Sequence, residues 1–307
     1  MNQVWVTGDA VVDLIPSHDN ALLKCPGGAP ANVAVAIAKL SGKSAFFGRV
    51  GKDPFGDFMN STLLINGVNT EFLIKDPSQR TSTVIVDLDE HGERDFTFMV
   101  KPSADQFMTL SDLPSFNQGE WLHVCSISLA NEPSRSSTIE AIRRIKSLGG
   151  YVSFDPNLRE EVWQNQSEIE SVVMKVASMA DVLKFSEEEL LKLTNSKSLE
   201  EGLQKVAAKE NTLILVTQGA KGVWCTYDNQ QTLFRGRVLT PVDTTGAGDA
   251  FVGGLLAYLS RHSQWKQSDI IFEAIKWASG CGALATTQKG AMTALPSLDE
   301  LLTFINE

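Results

Sequence analysis

The sequence predicts an α/β fold, a mostly parallel sheet flanked by helices with a small antiparallel β lid. Three observations predict it. Short apolar runs alternate with longer runs of helical period, the pattern of parallel strands joined by crossover helices. Residues 80–101 break that alternation with two strand-like runs in succession. Composition is ordinary for a globular chain, 43% hydrophobic and 21% charged over 307 residues, so a core of this size needs no disulfides.

Residues 4–6 read as a strand ending at Gly8. Residues 30–40 read as a helix, with Pro30 in its first turn and Gly42 at its end. Residues 45–47 are a short strand, and 54–65 a helix with Phe55, Phe58, Met59 and Leu63 on one side. Residues 81–88 and 94–100 read as two strands joined by 89–93. With 11–15 and 21–24 they form the lid sheet, too small to be an independent domain. The expectation is one domain over 1–307, with lid segments at about 11–25 and 80–101 inserted. Strands follow at 121–124, 151–154, 182–185 and 213–216, and helices at 135–148, 168–179 and 198–209. Helices at about 248–260, 270–285 and 298–306 close the chain. A lid sheet leaves one apolar face open, which predicts a homodimer through the lid; a plain surface hairpin is the alternative.

The net charge of −10 repels nucleic acid and anionic lipid, so neither is an expected partner. An anion such as ATP then needs a local site. Cys25, Cys125, Cys225 and Cys281 fit neither a metal knuckle nor a redox pair, and read as reduced thiols of a cytoplasmic protein. The first residues lack the basic and apolar regions of a signal peptide, and no stretch reaches the ~20 apolar residues of a membrane span.

The most informative stretch is Asp243-Thr244-Thr245-Gly246-Ala247-Gly248-Asp249, running into an apolar helix. Glycines at 246 and 248 let successive amides point at one spot, and the helix dipole adds positive potential there. Asp249 hangs a base beside that anion cup, the minimum apparatus for phosphoryl transfer to a hydroxyl. A capped, glycine-packed helix is the plainer alternative.

A second constellation follows the first strand. Asp9 and Asp13, in Gly8-Asp9-Ala10-Val11-Val12-Asp13, lie where open sheets bind ligands, and a carboxylate grips a sugar diol. Each also suits a turn. Pro26-Gly27-Gly28-Ala29-Pro30-Ala31-Asn32 offers backbone amides at Gly27 and Gly28 and an amide side chain at Asn32, which either meets ligand or serves local backbone.

These two segments resemble the N-terminal and C-terminal signatures of the ribokinase-like (PfkB) carbohydrate kinases, and the resemblance covers essentially the whole chain. Asp155-Pro156-Asn157-Leu158-Arg159 and the closing Lys289-Gly290-Ala291-Met292-Thr293-Ala294-Leu295-Pro296 are most similar to the bacterial fructokinase branch, and aminoimidazole riboside kinases carry very similar segments. The resemblance implies a ribokinase-like fold and ATP-dependent phosphorylation of a sugar, D-fructose at its 6-hydroxyl, with Mg²⁺. It implies Asp249 as general base and Gly246, Ala247 and Gly248 as the anion hole. Asp13, Gly28 and Asn32 match the sugar grip, with Asp9 and Gly27 beside them as further candidates; Arg159 resembles an arginine that meets substrate or the moving phosphate, a surface ion pair with Glu160 or Glu161 being the alternative. Phe96 and Phe98 either cover the sugar or pack the lid.

The family's Asn-x-x-Glu motif reads Ser186-Glu187-Glu188-Glu189 here, so Glu189 is expected to meet Mg²⁺ through water while Ser186 departs from the pattern. Acids also suit a helix's first turn. Lys184 lies nearby on the nucleotide side without a matched role. Thr217, Gly219 and Gly222 match the nucleotide loop, and Gly280, Gly282 and Ala283 the adenine wall, with helix packing as the alternative for these small residues. Asp243, Thr245, Ala285, Gln288 and Gly290 match the positions that hold K⁺ in many relatives. A nucleoside kinase and a non-catalytic sugar or nucleotide sensor are the alternatives. A Rossmann dehydrogenase is disfavoured, because no G-x-G-x-x-G follows the first strand.

Overall fold

The computed structural model describes residues 1–17, 20–88, 94–206, 212–228, 230–237 and 239–307; the side chains of 87–88 and 94–96 also lie outside the description. In chain order its strands are β1 (Val4–Thr7), β2 (Val11–Pro16), β3 (Leu22–Gly27), β4 (Ser44–Gly51), β5 (Asn69–Asp76), β6 (Thr83–Leu88), β7 (Arg94–Phe98), β8 (Trp121–Cys125), β9 (Tyr151–Asp155), β10 (Val182–Ser186), β11 (Leu213–Thr217), β12 (Val223–Tyr227) and β13 (Gln230–Phe234). The helices are α1 (Ala29–Lys39), α2 (Pro54–Ile65), α3 (Ser134–Ser147), α4 (Ile169–Ala177), α5 (Glu187–Leu193), α6 (Leu199–Lys205), α7 (Ala247–Leu259), α8 (Ser268–Ala285) and α9 (Leu298–Asn306).

Among the described residues the main sheet runs β13-β12-β11-β10-β9-β8-β1-β4-β5. The seven strands from β11 to β5 are mutually parallel, and β12 and β13 add an antiparallel edge. Strands buried on both faces carry continuous apolar runs, and β1 and β8 are buried throughout. One apolar core, built on α1, α7 and α8, fills one face; the other, built on α3, α4, α5 and α6, fills the opposite face. The chain winds outward from β1 through β4 to β5, then returns to β8 and winds the other way. That reversal opens a crevice beyond the carboxyl ends of β1 and β8, where open α/β sheets bind ligands.

The lid sheet has the order β3-β2-β6-β7. Its β2–β3 and β6–β7 pairs are antiparallel, as short hairpins require, while β2 and β6 run parallel because a long crossover separates them. The expected joint at 89–93 and the end of the expected 198–209 helix beyond Val206 lie outside the described residues. Strand β5, the β12–β13 hairpin and helix α5 are additions to the sequence reading. β5 buries Thr70, Leu73 and Asp76 and exposes Asn69, Glu71 and Lys75, so its burial departs from the strand period of two. Among the described residues no helix is long and apolar enough to cross a membrane.

Candidate active site

The site begins where α1 and α7 meet. Gly28 caps α1 at φ +95° and Gly246 caps α7 at φ +77°, left-handed conformations that other residues adopt only with strain. Pro30 then starts α1, its missing N–H harmless in a first turn. The two helices press so tightly that a Cβ on Gly253 would collide with Ala36. That closeness sets the Asn32 amide against Asp249, 217 residues away, donating Nδ2–H to Oδ2 at 2.7 Å. Asn157 Nδ2 lies 3.5 Å from the other oxygen. Asp249 is 7% exposed.

Two cavities flank this helix start. The first, about 180 Å³, is lined by Asp9, Asp13, Gly28, Asn32, Phe98 and Arg159, with Thr245, Gly246, Gly248 and Asp249 across from them. The structure thus brings together residues expected on the sugar side from four separate segments. Gly27 does not line it; a Cβ there would strike the Asp13 carboxylate, so this glycine lets β3 lie against Asp13. Phe96 belongs to β7, but its side chain lies outside the described residues. The second cavity, about 360 Å³, is lined by Thr217, Gly219, Gly222, Ala247, Gly248, Gly282 and Ala283. Gly248 is the residue common to both linings. The Ala247 amide donates to the Thr244 carbonyl at 3.2 Å, so that member of the expected anion hole is engaged in its own turn.

Gly280, expected on the adenine wall, does not line the second cavity. It faces α9, where an added Cβ would stand 2.7 Å from Ile305 Cγ2 and 2.8 Å from Leu301 Cδ1. Helix periodicity turns Gly280 away from the cavity when Ser279, Gly282 and Ala283 face it.

Buried carboxylates dominate the electrostatics. Burial pushes Asp9 up to about 8, helped by the charge of Asp105. Burial also raises Asp249, against the Asn32 hydrogen bond and the Lys184 and Arg159 charges. A carboxylate raised in this way is a stronger proton acceptor than a free one. Lys184 Nζ pairs with Asp155 Oδ2 at 2.9 Å, in a setting where both side chains are buried. Burial pulls the Lys184 ammonium down, but the Asp155, Glu189 and Asp249 charges outweigh it and hold it protonated.

Ser186 and Glu189 form a capping box at the start of α5: Glu189 N–H donates to Ser186 Oγ at 3.1 Å, and Ser186 N–H to Glu189 Oε2 at 2.9 Å. Glu189 Oε1 accepts from Leu158 N–H at 2.9 Å, which clamps the 155–159 loop. Glu189 lines neither cavity, yet its charge reaches Lys184, Asp155 and Asp249. The Asp243 carboxylate accepts from Thr245 N–H and Gly290 N–H, each at 3.0 Å, and Thr286 O accepts from Val242 and Asp243. Those bonds draw the 243–245 and 286–290 loops together; Ala285 ends α8 beside them, and Gln288 lies within the second loop. Among the described residues no three His, Cys, Asp or Glu side chains stand together to hold a metal.

The profile of the pfkB family carbohydrate kinases matches residues 1–298. The chain belongs to the pfkB carbohydrate kinase family. It is 72% identical to a fructokinase of Vibrio alginolyticus over 307 residues, all of both chains. The crystal structure of fructokinase from Vibrio cholerae O395 in fructose, ADP and calcium ion bound form superposes with a TM-score of 0.96 at 64% identity, covering 99% of each chain. Aminoimidazole riboside kinase from Salmonella enterica, complexed with aminoimidazole riboside and an ATP analog, gives 0.91 at 41% identity over 99% of this chain and 100% of that one.

Sequence reasoning missed Val84, Cys125 and Asn157 in the first cavity and Arg237, Leu239 and Phe251 in the second. Asn157 and Asp155 stood inside a motif already singled out for Arg159. Val84 and Leu239 carry no chemical signal; only the fold brings them there.

Proposed function

We propose that this protein is an ATP-dependent sugar kinase that phosphorylates D-fructose at its 6-hydroxyl. One observation carries the reading: two cavities that share Gly248, with the Asp249 carboxylate on one side of the junction. Sugar occupies the first cavity and nucleotide the second. The sugar oxygen attacks the γ-phosphorus, its proton passes to Asp249, and the bond to the bridging oxygen breaks with its electron pair leaving on ADP. Asn32, held 2.7 Å from Asp249, keeps the carboxylate aimed. Asp9, Asp13 and Arg159 orient the hydroxyls, and Phe98 from β7 shields them from water. Fructose is favoured as acceptor because the 72% identical relative is a fructokinase, against 42% for an aminoimidazole riboside kinase.

Mg²⁺ is the proposed divalent ion, and it would arrive on the nucleotide's phosphates. Glu189, whose field already reaches Asp249, would hold it through water, and the ion would neutralise phosphate charge. K⁺ is proposed for the loops that Asp243 draws together, in keeping with a potassium-bound fructokinase double mutant from Vibrio cholerae O395 at 63% identity. The protein is proposed to work in the cytoplasm as a single domain. It is proposed to dimerise through the lid, where Leu22 and Leu23 are 49% and 58% exposed.

The deciding assay measures ADP release with fructose, ribose, 2-keto-3-deoxygluconate, adenosine and aminoimidazole riboside. Fructose is expected to give the highest kcat/KM. Turnover of a nucleoside with none for fructose overturns the acceptor assignment, and no turnover with any of them favours the sensor.

A further inference from the structure

We propose that Lys184, anchored by Asp155, forms a charged floor beneath the junction of the two cavities and takes up negative charge on the phosphoryl group as it crosses. The inference rests on the phosphotransfer reading and assigns a role to a pair of residues outside both cavity linings. Three observations carry it.

The first is position. Gly248 belongs to both cavities, so a group moving from nucleotide to sugar passes over it. Lys184 Nζ lies only 3.3 Å from where a Cβ on Gly248 would stand. The missing side chain is what lets the ammonium approach this backbone. A larger residue would stand between the cation and the passing group.

The second is the anchor. Lys184 lies within β10 and Asp155 ends β9, the adjacent parallel strand, and their side chains are 7% and 2% exposed. The 2.9 Å ion pair fixes the ammonium by one of its three donors. Asp155 is therefore a positioning residue, and Lys184 the one that meets the reacting group.

The third is cost. Asp155 Oδ1 is buried without a hydrogen-bond partner among the described residues. A buried pair with an orphaned oxygen is no better for stability than two apolar side chains of the same volume. Placed at the junction, it serves charge. Preorganised cations and donors aimed at developing charge are commonly the largest contribution to such catalysis, because they need no reorganisation during the reaction.

Lys184 keeps its proton throughout. It donates a hydrogen bond to a phosphoryl oxygen while the P–O bond to ADP breaks, the bond to the sugar oxygen forms, and Asp249 receives the hydroxyl proton. No covalent bond to Lys184 is made.

The test compares wild type with Lys184→Met, Lys184→Ala, Asp155→Asn and the double variant Lys184→Met/Asp155→Asn, which removes both charges and is the fallback should a single variant misfold. Circular dichroism and calorimetric titration of fructose report fold and sugar binding. Lys184→Met is expected to lose ~10²–10³-fold in kcat, the loss typical of one removed stabilising donor, with fructose KM within about threefold. Asp155→Asn is expected to lose on the order of 10- to 100-fold in kcat, the effect of a misplaced group. Methylammonium should restore part of the Lys184→Ala rate with saturation, which no loss of packing explains. Active wild type with folded lysine variants turning over at wild-type kcat overturns the inference alone. Wild type that phosphorylates no sugar overturns the phosphotransfer reading, and this inference with it.

Discussion

Replacing Asp249 by Asn keeps the shape of the site and removes its proton acceptor. Oδ2 of Asp249 accepts from Asn32 Nδ2 at 2.7 Å, and an Asn at 249 can keep that bond by presenting its carbonyl oxygen. Its amide nitrogen then faces the first cavity and cannot take a proton. Loss of a general base typically costs ~10²–10⁴-fold, or about 3–5 kcal/mol of transition-state stabilisation at 1.36 kcal/mol per decade. Fructose binding should persist, because the amide facing the cavity can donate to a sugar hydroxyl oxygen and the rest of the lining is unchanged. Stability should rise. The folded-state pKa of Asp249 lies above its unfolded value near 4, so the folded state holds the proton longer. Stability contributed by that proton is complete below pH 4 and is lost as pH rises through the raised value. Asn removes that loss, so Tm should increase at pH 8 and by less at pH 5. The assay couples ADP release to NADH oxidation, with calorimetric titration of fructose and thermal melts at both pH values. A variant with wild-type kcat refutes the general-base role, and a lower Tm at pH 8 refutes the burial argument.

Other outcomes follow from the same geometry. Gly280→Ala should destabilise by about 1–3 kcal/mol in urea melts, because its Cβ meets Ile305 and Leu301, while ATP KM stays at the wild-type value; a raised KM with unchanged stability would return Gly280 to the nucleotide wall. Ala283→Phe should fill the second cavity and raise ATP KM by roughly tenfold or more while leaving fructose affinity alone, measured by initial rates. Asp53→Ala removes an acceptor for Phe55 N–H, Gly56 N–H and Thr81 N–H, joining the α2 cap to the base of the lid, and should cost about 1–3 kcal/mol. Burial raises Asp53, but those bonds outweigh it and leave its pKa low, so its contribution stands above pH 4 and disappears on acidification; equal urea midpoints for wild type and Asp53→Ala at pH 7 would contradict this. Replacing potassium by a bulky organic cation should slow turnover if the Asp243 loops hold K⁺, and equal rates remove that ion from the account.

The parts of the fold that repeat were legible in the sequence. α2 matches its expected bounds, because Pro54 and an apolar stripe mark it at both ends. α5 was hidden: seven residues give too few turns for a period, and its three leading acids read as a capped helix start without saying where it ends. β12 and β13 mix polar and apolar residues on an edge, so neither strand period stands out. Asp9, Asp13, Asn32 and Asp249 carry a chemical signature in the sequence, and all four line the first cavity. What stayed hidden depends on two chain segments meeting: Lys184 gains meaning only beside Asp155 and Gly248, and Gly280 loses its expected role only once α9 is in place.

The shared Gly248 has a consequence for divergence. The first cavity, proposed for the acceptor, draws on β2, β6, β7 and the loop after β9, while the second, proposed for the donor, draws on β11, α8 and residues between β13 and α7. Substitutions on one wall can accumulate without disturbing the other. A lineage can therefore exchange one alcohol for another while keeping its phosphate source, needing only changes in segments that leave the helix start untouched.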